Sequence, residues 1–185
     1  PGSDPSRHGA SREIADGLSF VWDSAIMRPI AASTAAVGFS SGVVGAVILL
    51  FGVDDLGFQP GVLGTIFAVG GVSSILGALY ADPLTRRFGV GPTMVAGLLV
   101  FVTSTFLIPM AGGPLTAAGA FLVAQQLGDG PMIVYEINQV SLRQSITPRG
   151  MLGRVNAGMR VVELGAALAG SLVAGVLGGV IGLRL

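Results

Sequence analysis

The residue best suited to chemistry is Asp129, an acid that follows a long uncharged stretch of the chain. That stretch resumes at Leu115 after a Pro/Gly-rich turn, so a helix starting there carries Asp129 about 20 Å inward. The hydrocarbon layer of a membrane is ~30 Å thick, and an ionisable group within it is costly unless it is paired, hydrated or protonated. We therefore predict that Asp129 binds a proton or a cationic group of a substrate. The alternative is that the embedded part ends earlier and Asp129 pairs with an arginine near the inner face.

Polar side chains near Asp129 are candidates for the same site. On a continuous helix Gln125 lies one turn before Asp129 and Glu136 two turns after it, so the three share one face. We predict that this face points into the helix bundle and that Gln125 and Gln126 line the site with their amides. The acid is flanked by residues that loosen or kink a helix: Gly128, Gly130 and Pro131.

Charged residues near the ends of apolar segments form a second candidate group. Glu136 and Glu163 are expected near the inner boundary, within reach of three arginines: Arg143, Arg154 and Arg160. Arg160 and Glu163 are close enough in sequence to pair on one helix. We interpret these groups as a cytoplasmic gate, whose ion pairs form when that side closes and break when it opens. The alternative is that the arginines only anchor helix ends at the interface.

The composition requires a non-aqueous environment for much of the chain. Hydrophobic residues make up 51% and charged residues 11%, against about 25% charged in ordinary soluble domains. The net charge is zero and all ten basic residues are arginine. No basic surface large enough for nucleic acid can be assembled from so few charges, and we expect no nucleic-acid partner.

Few residues could support a metal centre or catalysis. The chain has no cysteine, and its one histidine, His8, lies in a polar leader without a neighbouring ligand. Serines in the apolar stretches, such as Ser73 and Ser74, have no histidine or lysine near them to activate a nucleophile. We predict no metal, no cofactor and no enzymatic activity.

The elements that must position these residues are membrane-spanning helices. A helix crosses the hydrocarbon layer with about 20 residues, and strands of that length without alternation are rare. The sequence predicts an all-α integral membrane bundle of about five spans: 29–53, 58–81, 89–110, 115–138 and 158–182. Residues 29–185 form this transmembrane domain, and 1–28 form a cytoplasmic linker.

The linker contains an amphipathic pattern. Ile14, Leu18, Val21 and Trp22 recur at helical spacing among charged residues, which is typical of a helix lying at the membrane surface. The alternative is a helix that packs on another protein domain.

Arginine positions predict the orientation, because short cytoplasmic loops collect Lys and Arg. With the start of the chain inside, only Arg184 falls on the outer side. The arginines placed in the cytoplasm are Arg7, Arg12, Arg28, Arg86, Arg87, Arg143, Arg149, Arg154 and Arg160.

Small residues predict where the helices pack, because in lipid they let backbones approach closely. The last span carries small residues spaced four apart: Ala166, Gly170, Ala174, Gly178 and Gly182. The first two spans carry similar positions: Gly38 and Gly42 in the first, and Gly70, Ser74 and Gly77 in the second.

Three segments resemble the major facilitator superfamily. Residues 77–89 (GALYADPLTRRFG), with Asp82, Arg86 and Arg87, resemble its cytoplasmic loop motif. Residues 135–148 (YEINQVSLRQSITP) and 153–160 (GRVNAGMR) look like the loop between helices ten and eleven of its transmembrane secretion effector, enterobactin-exporter-like branch. Residues 13–22 (EIADGLSFVW) resemble that branch's central cytoplasmic loop before helix seven.

The resemblance implies a partial major facilitator bundle, helices seven to eleven of a C-terminal half, in a bacterial inner membrane. It implies a secondary active, proton-coupled exporter of drug- or siderophore-like small molecules, working by alternating access. Asp82, Arg86 and Arg87 would belong to the cytoplasmic gate. The implied partners are the lipid bilayer, the substrate, and the N-terminal half and last helix, which we expect in a longer protein. A non-transporting membrane scaffold is the alternative function.

Overall fold

The computed structural model describes residues 5–181, with side chains from residue 12 to residue 180. Helix makes up 90% of this part of the chain, and it contains no strand. The helices are α1 Pro5–Asp23, α2 Met27–Leu50, α3 Pro60–Phe88, α4 Val90–Thr105, α5 Leu107–Met110, α6 Leu115–Gln126, α7 Asp129–Ile146 and α8 Leu152–Ile181. A π-helical turn, Phe51–Asp55, extends α2, and a 3-10 turn, Arg149–Met151, precedes α8. The predictions for Gly182 and Arg184, and for the side chains of Arg7 and His8, lie outside the described part.

Four helical segments in residues 5–181 are long and apolar enough to cross a membrane: Met27–Asp55, Pro60–Phe88, Val90–Met110 and Arg149–Val180. They correspond to the first, second, third and fifth predicted spans. Many of their large apolar side chains are exposed, for example Leu79 at 67%, Leu168 at 63% and Val180 at 78%. Apolar faces of this extent are unfavourable in water and are typical of contact with lipid. The fold is therefore that of a multi-pass helical membrane protein.

The segment 115–138 was predicted to be one span, and the structure shows two helices instead. α6 ends at Gln126, and α7 begins at Asp129 after a turn at Leu127 and Gly128. The Gly128 N–H donates to the Gln125 carbonyl at 2.8 Å, which closes a tight turn instead of continuing α6. The predicted distortion around Asp129 is thus a complete interruption of the helix.

Local sequence explains the other boundaries. Pro60 stands in the first turn of α3, where its missing N–H needs no partner. α3 ends at Phe88, and the next residue, Gly89, adopts a φ of +87° that allows α4 to begin directly after it. The predicted turn between the third and fourth spans is confirmed: α5 ends at Met110, Gly113 has a φ of +78°, and α6 starts after Pro114.

The described chain divides into two compact units, one of residues 5–47 with Arg143–Val180 and one of Ile48–Leu142. In the first unit, α2 and α8 pack backbone to backbone. A Cβ on Gly38 would meet the Glu163 carbonyl oxygen at 2.6 Å, and a Cβ on Gly42 or Gly170 would collide with the facing backbone. The predicted small-residue packing is therefore confirmed at Gly38, Gly42 and Gly170.

The linker helix α1 packs within the same unit. A Cβ on Gly17 would collide with the Arg154 carbonyl, so α1 lies directly against the start of α8. Val21 is buried and Leu18 is half-buried, whereas Trp22 is 74% exposed. The apolar face of α1 therefore packs in large part on α8 of the same unit and leaves Trp22 outside.

The second unit has an apolar core around the start of α6, and the interruption between α6 and α7 lies at the other end of α6. The core contains seven buried residues: Phe51, Phe58, Leu63, Ile66, Ala111, Ala118 and Leu122. These come from the π-helical turn after α2, the loop before α3, the first turns of α3 and α6, and the turn between α5 and α6, so they fix the position from which α6 runs towards Asp129.

Candidate functional site

The interruption between α6 and α7 is held by one side chain of α3. In a continuous helix the Leu127 carbonyl would accept from the N–H of residue 131, but Pro131 has none. The Ser73 hydroxyl donates to that carbonyl at 2.9 Å instead. The Ser73 hydroxyl oxygen also accepts a hydrogen bond from the Gly130 N–H at 3.0 Å. Ser73 thus supplies partners for two backbone groups freed by the interruption, as buried backbone N–H and C=O groups require.

Glycines allow α3 and α4 to come this close to the interruption. A Cβ on Gly77 would collide with the Gly130 carbonyl, and a Cβ on Gly97 would meet the Pro131 carbonyl oxygen at 2.6 Å. A Cβ on Gly128 would collide with the Ser104 hydroxyl of α4. The interruption is therefore enclosed by close backbone contacts, which fix the start of α7.

The carboxylate of Asp129 lies at this interruption, beside α3. A Cβ on Gly70 would collide with Asp129 Oδ2 and meet Gln126 Nε2 at 2.5 Å, so both side chains converge on this glycine. Gln125 and Gln126 are each 8% exposed, whereas Asp129 is half-buried. The structure therefore brings Asp129 and Gln126 together, with Gln125 buried in the preceding turn.

Asp129 has no arginine partner among the described side chains: the ion pairs there are Asp82–Arg86, Asp16–Arg154 and Arg160–Glu163. The alternative interpretation, in which Asp129 pairs with an arginine, thus finds no support within residues 12–180. A half-buried carboxylate beside a primary amide can accept a proton or hold a cation.

Glu136 does not lie where the sequence placed it. Its side chain is exposed, whereas the prediction pointed it into the bundle together with Gln125 and Asp129. The prediction assumed one continuous helix. The turn at Leu127 and Gly128 separates Gln125 from the register of α7. Asp129 and Glu136 both lie on α7, where Asp129 is half-buried in the first turn and Glu136 is exposed two turns further along.

In the second unit, the predicted gate residues on α3 form a local pair. Arg86 Nε lies 2.9 Å from Asp82 Oδ2, and both side chains are largely exposed. The neighbouring Arg87 guanidinium lies 5.3 Å from the ring centre of Phe88. Exposed pairs of this kind contribute little to stability, so they are free to exchange partners.

A hydrogen bond joins two of the segments that carry the family resemblance. The Thr85 hydroxyl lies 2.7 Å from Asn138 Oδ1 and 2.7 Å from the Ala81 carbonyl oxygen, and it donates its one proton to either. Asn138 is buried, and its amide donates to the Val134 carbonyl at 2.8 Å. The end of α3 is thus linked to the middle of α7.

The gate candidates of the first unit form their own set of pairs. Arg160 donates to Glu163 at 2.8 Å, which confirms the predicted pairing on one helix. Arg154 lies 3.5 Å from Asp16 of α1, a partner that the sequence did not predict. The buried Arg143 Nε has no hydrogen-bond partner among the described residues.

Sequence reasoning missed Ser73, Thr85 and Asn138. Ser73 was weighed only as a nucleophile, while its neighbour Ser74 was assigned to the packing face; the structure buries Ser73 and leaves Ser74 half-buried. The sequence does indicate that Ser73 faces a neighbouring helix, because Ser73 is three residues after Gly70 and four before Gly77 and so lies on the same helix face as these two glycines. The absent N–H of Pro131 also implies a carbonyl in need of a donor.

No protein-family model, curated protein or solved structure that was compared with the chain matches it. The fold and the site therefore define the class of protein, which is a multi-pass helical membrane protein with an acid at an interrupted helix.

Proposed function

We propose that this chain is the greater part of the C-terminal half of a major facilitator exporter, with the helices from α2 to α8 corresponding to helices seven to eleven. The resemblance of three sequence segments motivates this assignment. It is supported by the four membrane-length helices and by the hydrogen bond between Thr85 and Asn138, which joins two of the resembling segments. In this proposal α6 and α7 together form the fourth of five spans, and the start of the chain lies in the bacterial cytoplasm.

The observation that carries the transport proposal is the placement of Asp129. Its carboxylate lies at an interrupted helix, against Gly70 and close to the amide of Gln126. Binding sites of secondary transporters are commonly built at such interruptions near the middle of the membrane. In this proposal Asp129 binds a proton or a cationic group of a drug- or siderophore-like solute. The polar side chains of Gln125 and Gln126 line the same site.

The exposed pairs at the helix ends fit a gate in this scheme. Asp82–Arg86 and Arg160–Glu163 are local, exposed pairs that can exchange partners during alternating access. A difference of a few kcal/mol between inward- and outward-facing states is enough to shift the population between them.

The test is export by the full-length protein encoded by the gene, measured as proton-driven efflux of cationic dyes at several external pH values. Asp129→Asn is expected to abolish export or its pH dependence, and Asp129→Glu to retain part of both. Asp54→Asn, the same chemical change at an exposed acid in a turn, is the matched control and is expected to export normally. Equal export by wild type and Asp129→Asn at every pH would contradict the proposal.

A membrane scaffold is the second candidate. The broad exposed apolar face of α8, which includes Leu168, Leu172 and Val176, suits a helix that binds neighbouring proteins. A scaffold needs no intramembrane acid, so it predicts that Asp129→Asn leaves partner assembly and all cellular phenotypes unchanged.

A further inference from the structure

The second unit contains an open groove between α3, α4 and the start of α7. Its volume is about 580 Å³. Gly77, Gly97 and Gly130 contribute to its lining, and large side chains of α3 such as Tyr80 and Phe88 border it. Tyr80 is 59% exposed, so the groove opens sideways along the helices.

The inner part of the groove is apolar because its hydroxyl groups are already engaged. Ser73 bonds to the Leu127 carbonyl and to the Gly130 N–H. The Thr93 hydroxyl donates to the Leu84 carbonyl at 3.4 Å. The remaining lining side chains are mainly aliphatic, such as Val100 and Val134. A polar solute gains little from such a surface, whereas a hydrocarbon chain fits it.

The groove has the length of a lipid chain. Along α3 its lining runs from Ser73 to Phe88, which corresponds to about 22 Å of helix. One leaflet contributes about half of a ~30 Å hydrocarbon layer. An acyl chain and the adjoining glycerol region together span this distance.

A cation lies at one end of the groove. The Arg87 guanidinium is 5.3 Å from the ring centre of Phe88, and Phe88 lines that end. Arg86 is paired with Asp82, whereas no carboxylate of residues 12–180 lies within ion-pairing distance of Arg87. Arg87 is therefore the charge available to an anionic group whose tail lies in the groove.

We propose that this groove binds one acyl chain of an anionic membrane phospholipid, with the lipid phosphate at Arg87. The site requires only that the chain lies in a membrane, and it does not depend on the transport proposal. It would make the position of α3 relative to α4 sensitive to the lipid composition of the leaflet that contains Arg87.

Native mass spectrometry of the full chain released from detergent micelles tests the proposal by counting bound lipids. The probes are phosphatidylglycerol, phosphatidylcholine with the same two oleoyl chains, and glycerol phosphate without chains. Wild type is expected to retain phosphatidylglycerol about fivefold better than phosphatidylcholine, and not to retain glycerol phosphate. Arg87→Gln is expected to remove the preference for phosphatidylglycerol. Arg149→Gln, which removes the same charge at another exposed arginine, is the control and is expected to leave the preference intact.

A second pair of variants tests the groove itself. Ala96→Trp fills the groove and is expected to lower retention of both lipids several-fold, whereas Val95→Trp, on the same helix but outside the lining, is expected to change neither. Equal retention of the two lipids by wild type, or equal effects of the two arginine variants, would overturn the proposal. A change of oligomeric mass in Ala96→Trp with unchanged lipid counts would show an interface between copies instead, and would also overturn it.

Discussion

The hydroxyl oxygen of Ser73 accepts a hydrogen bond from the backbone N–H of Gly130 at 3.0 Å. This contact links α3 to the first turn of α7, immediately beside Asp129. Because Ser73 also donates to the Leu127 carbonyl, one side chain serves both ends of the interruption between α6 and α7. The position of Asp129 therefore depends on a residue of another helix.

Removing the Ser73 hydroxyl should destabilise the second unit. Ser73→Ala leaves the Leu127 carbonyl and the Gly130 N–H without their partner, so we expect the free energy of unfolding to fall by about 1–3 kcal/mol. The measurement is unfolding of the full chain in mixed detergent micelles. Ser74→Ala is the control, since it makes the same change at the half-buried neighbour. Equal effects of the two variants would contradict the role of Ser73.

Adding a methyl group at Gly77 should separate α3 from α7. Its Cβ would collide with the Gly130 backbone, which cannot move as a flexible side chain does. Overpacking of this kind costs about 1–3 kcal/mol, so we expect the detergent unfolding midpoint to fall for Gly77→Ala. Gly71→Ala places a methyl group in open space on the same helix, and it should be neutral or slightly stabilising. A stable Gly77→Ala would show that this helix contact is looser than described.

The same reasoning applies to the α2 and α8 pair of the first unit. Gly42→Ala should destabilise this unit because the new Cβ would collide with the Ala167 backbone. Gly45→Ala, one turn along α2 and facing open space, is the control. A cysteine pair across α2 and α8 reports the contact directly, and its cross-linking yield should fall for Gly42→Ala and remain unchanged for Gly45→Ala.

The Asp82–Arg86 pair should affect transport more than stability. Both side chains are largely exposed, so Asp82→Arg is expected to leave the unfolding midpoint of the chain unchanged. In the full-length protein it should lower export if the pair belongs to the gate, and the double exchange Asp82→Arg with Arg86→Asp should restore part of the rate. Unchanged export by the single variant would remove these two residues from the mechanism.

The sequence predicted the helices well because apolar length and charge position decide them locally. The turn at 111–114 and the small-residue faces of α2 and α8 were also predictable, because Gly and Pro have strong backbone preferences. The packing role of Ser73 was not predicted. Adjacent serines point about 100° apart on a helix, and composition alone does not reveal which of them faces α7.

The candidate site was predicted in part. Asp129, Gln125 and Gln126 were chosen for their depth in an apolar stretch, and the structure places all three around the interruption. Glu136 was added by extending one helical register through Gly128 and Pro131. The turn separates Gln125 from the register of α7. Asp129 and Glu136 still share α7, but only Asp129 lies in its enclosed first turn, and Glu136 is exposed two turns further along. Long-range partners such as Thr85 and Asn138 depend on tertiary packing, which helical periodicity does not describe.

The most direct test of the account asks whether α6 and α7 together cross the membrane. The chain has no cysteine, so Gly112→Cys before α6 and Gly150→Cys after α7 each introduce a single thiol at a position with open space around it. A membrane-impermeant maleimide added to intact cells is expected to label Gly112→Cys only, and inside-out vesicles are expected to expose Gly150→Cys only. Labelling of both positions from the same side would show that the interrupted helix does not span the membrane, and would contradict a site for Asp129 within it.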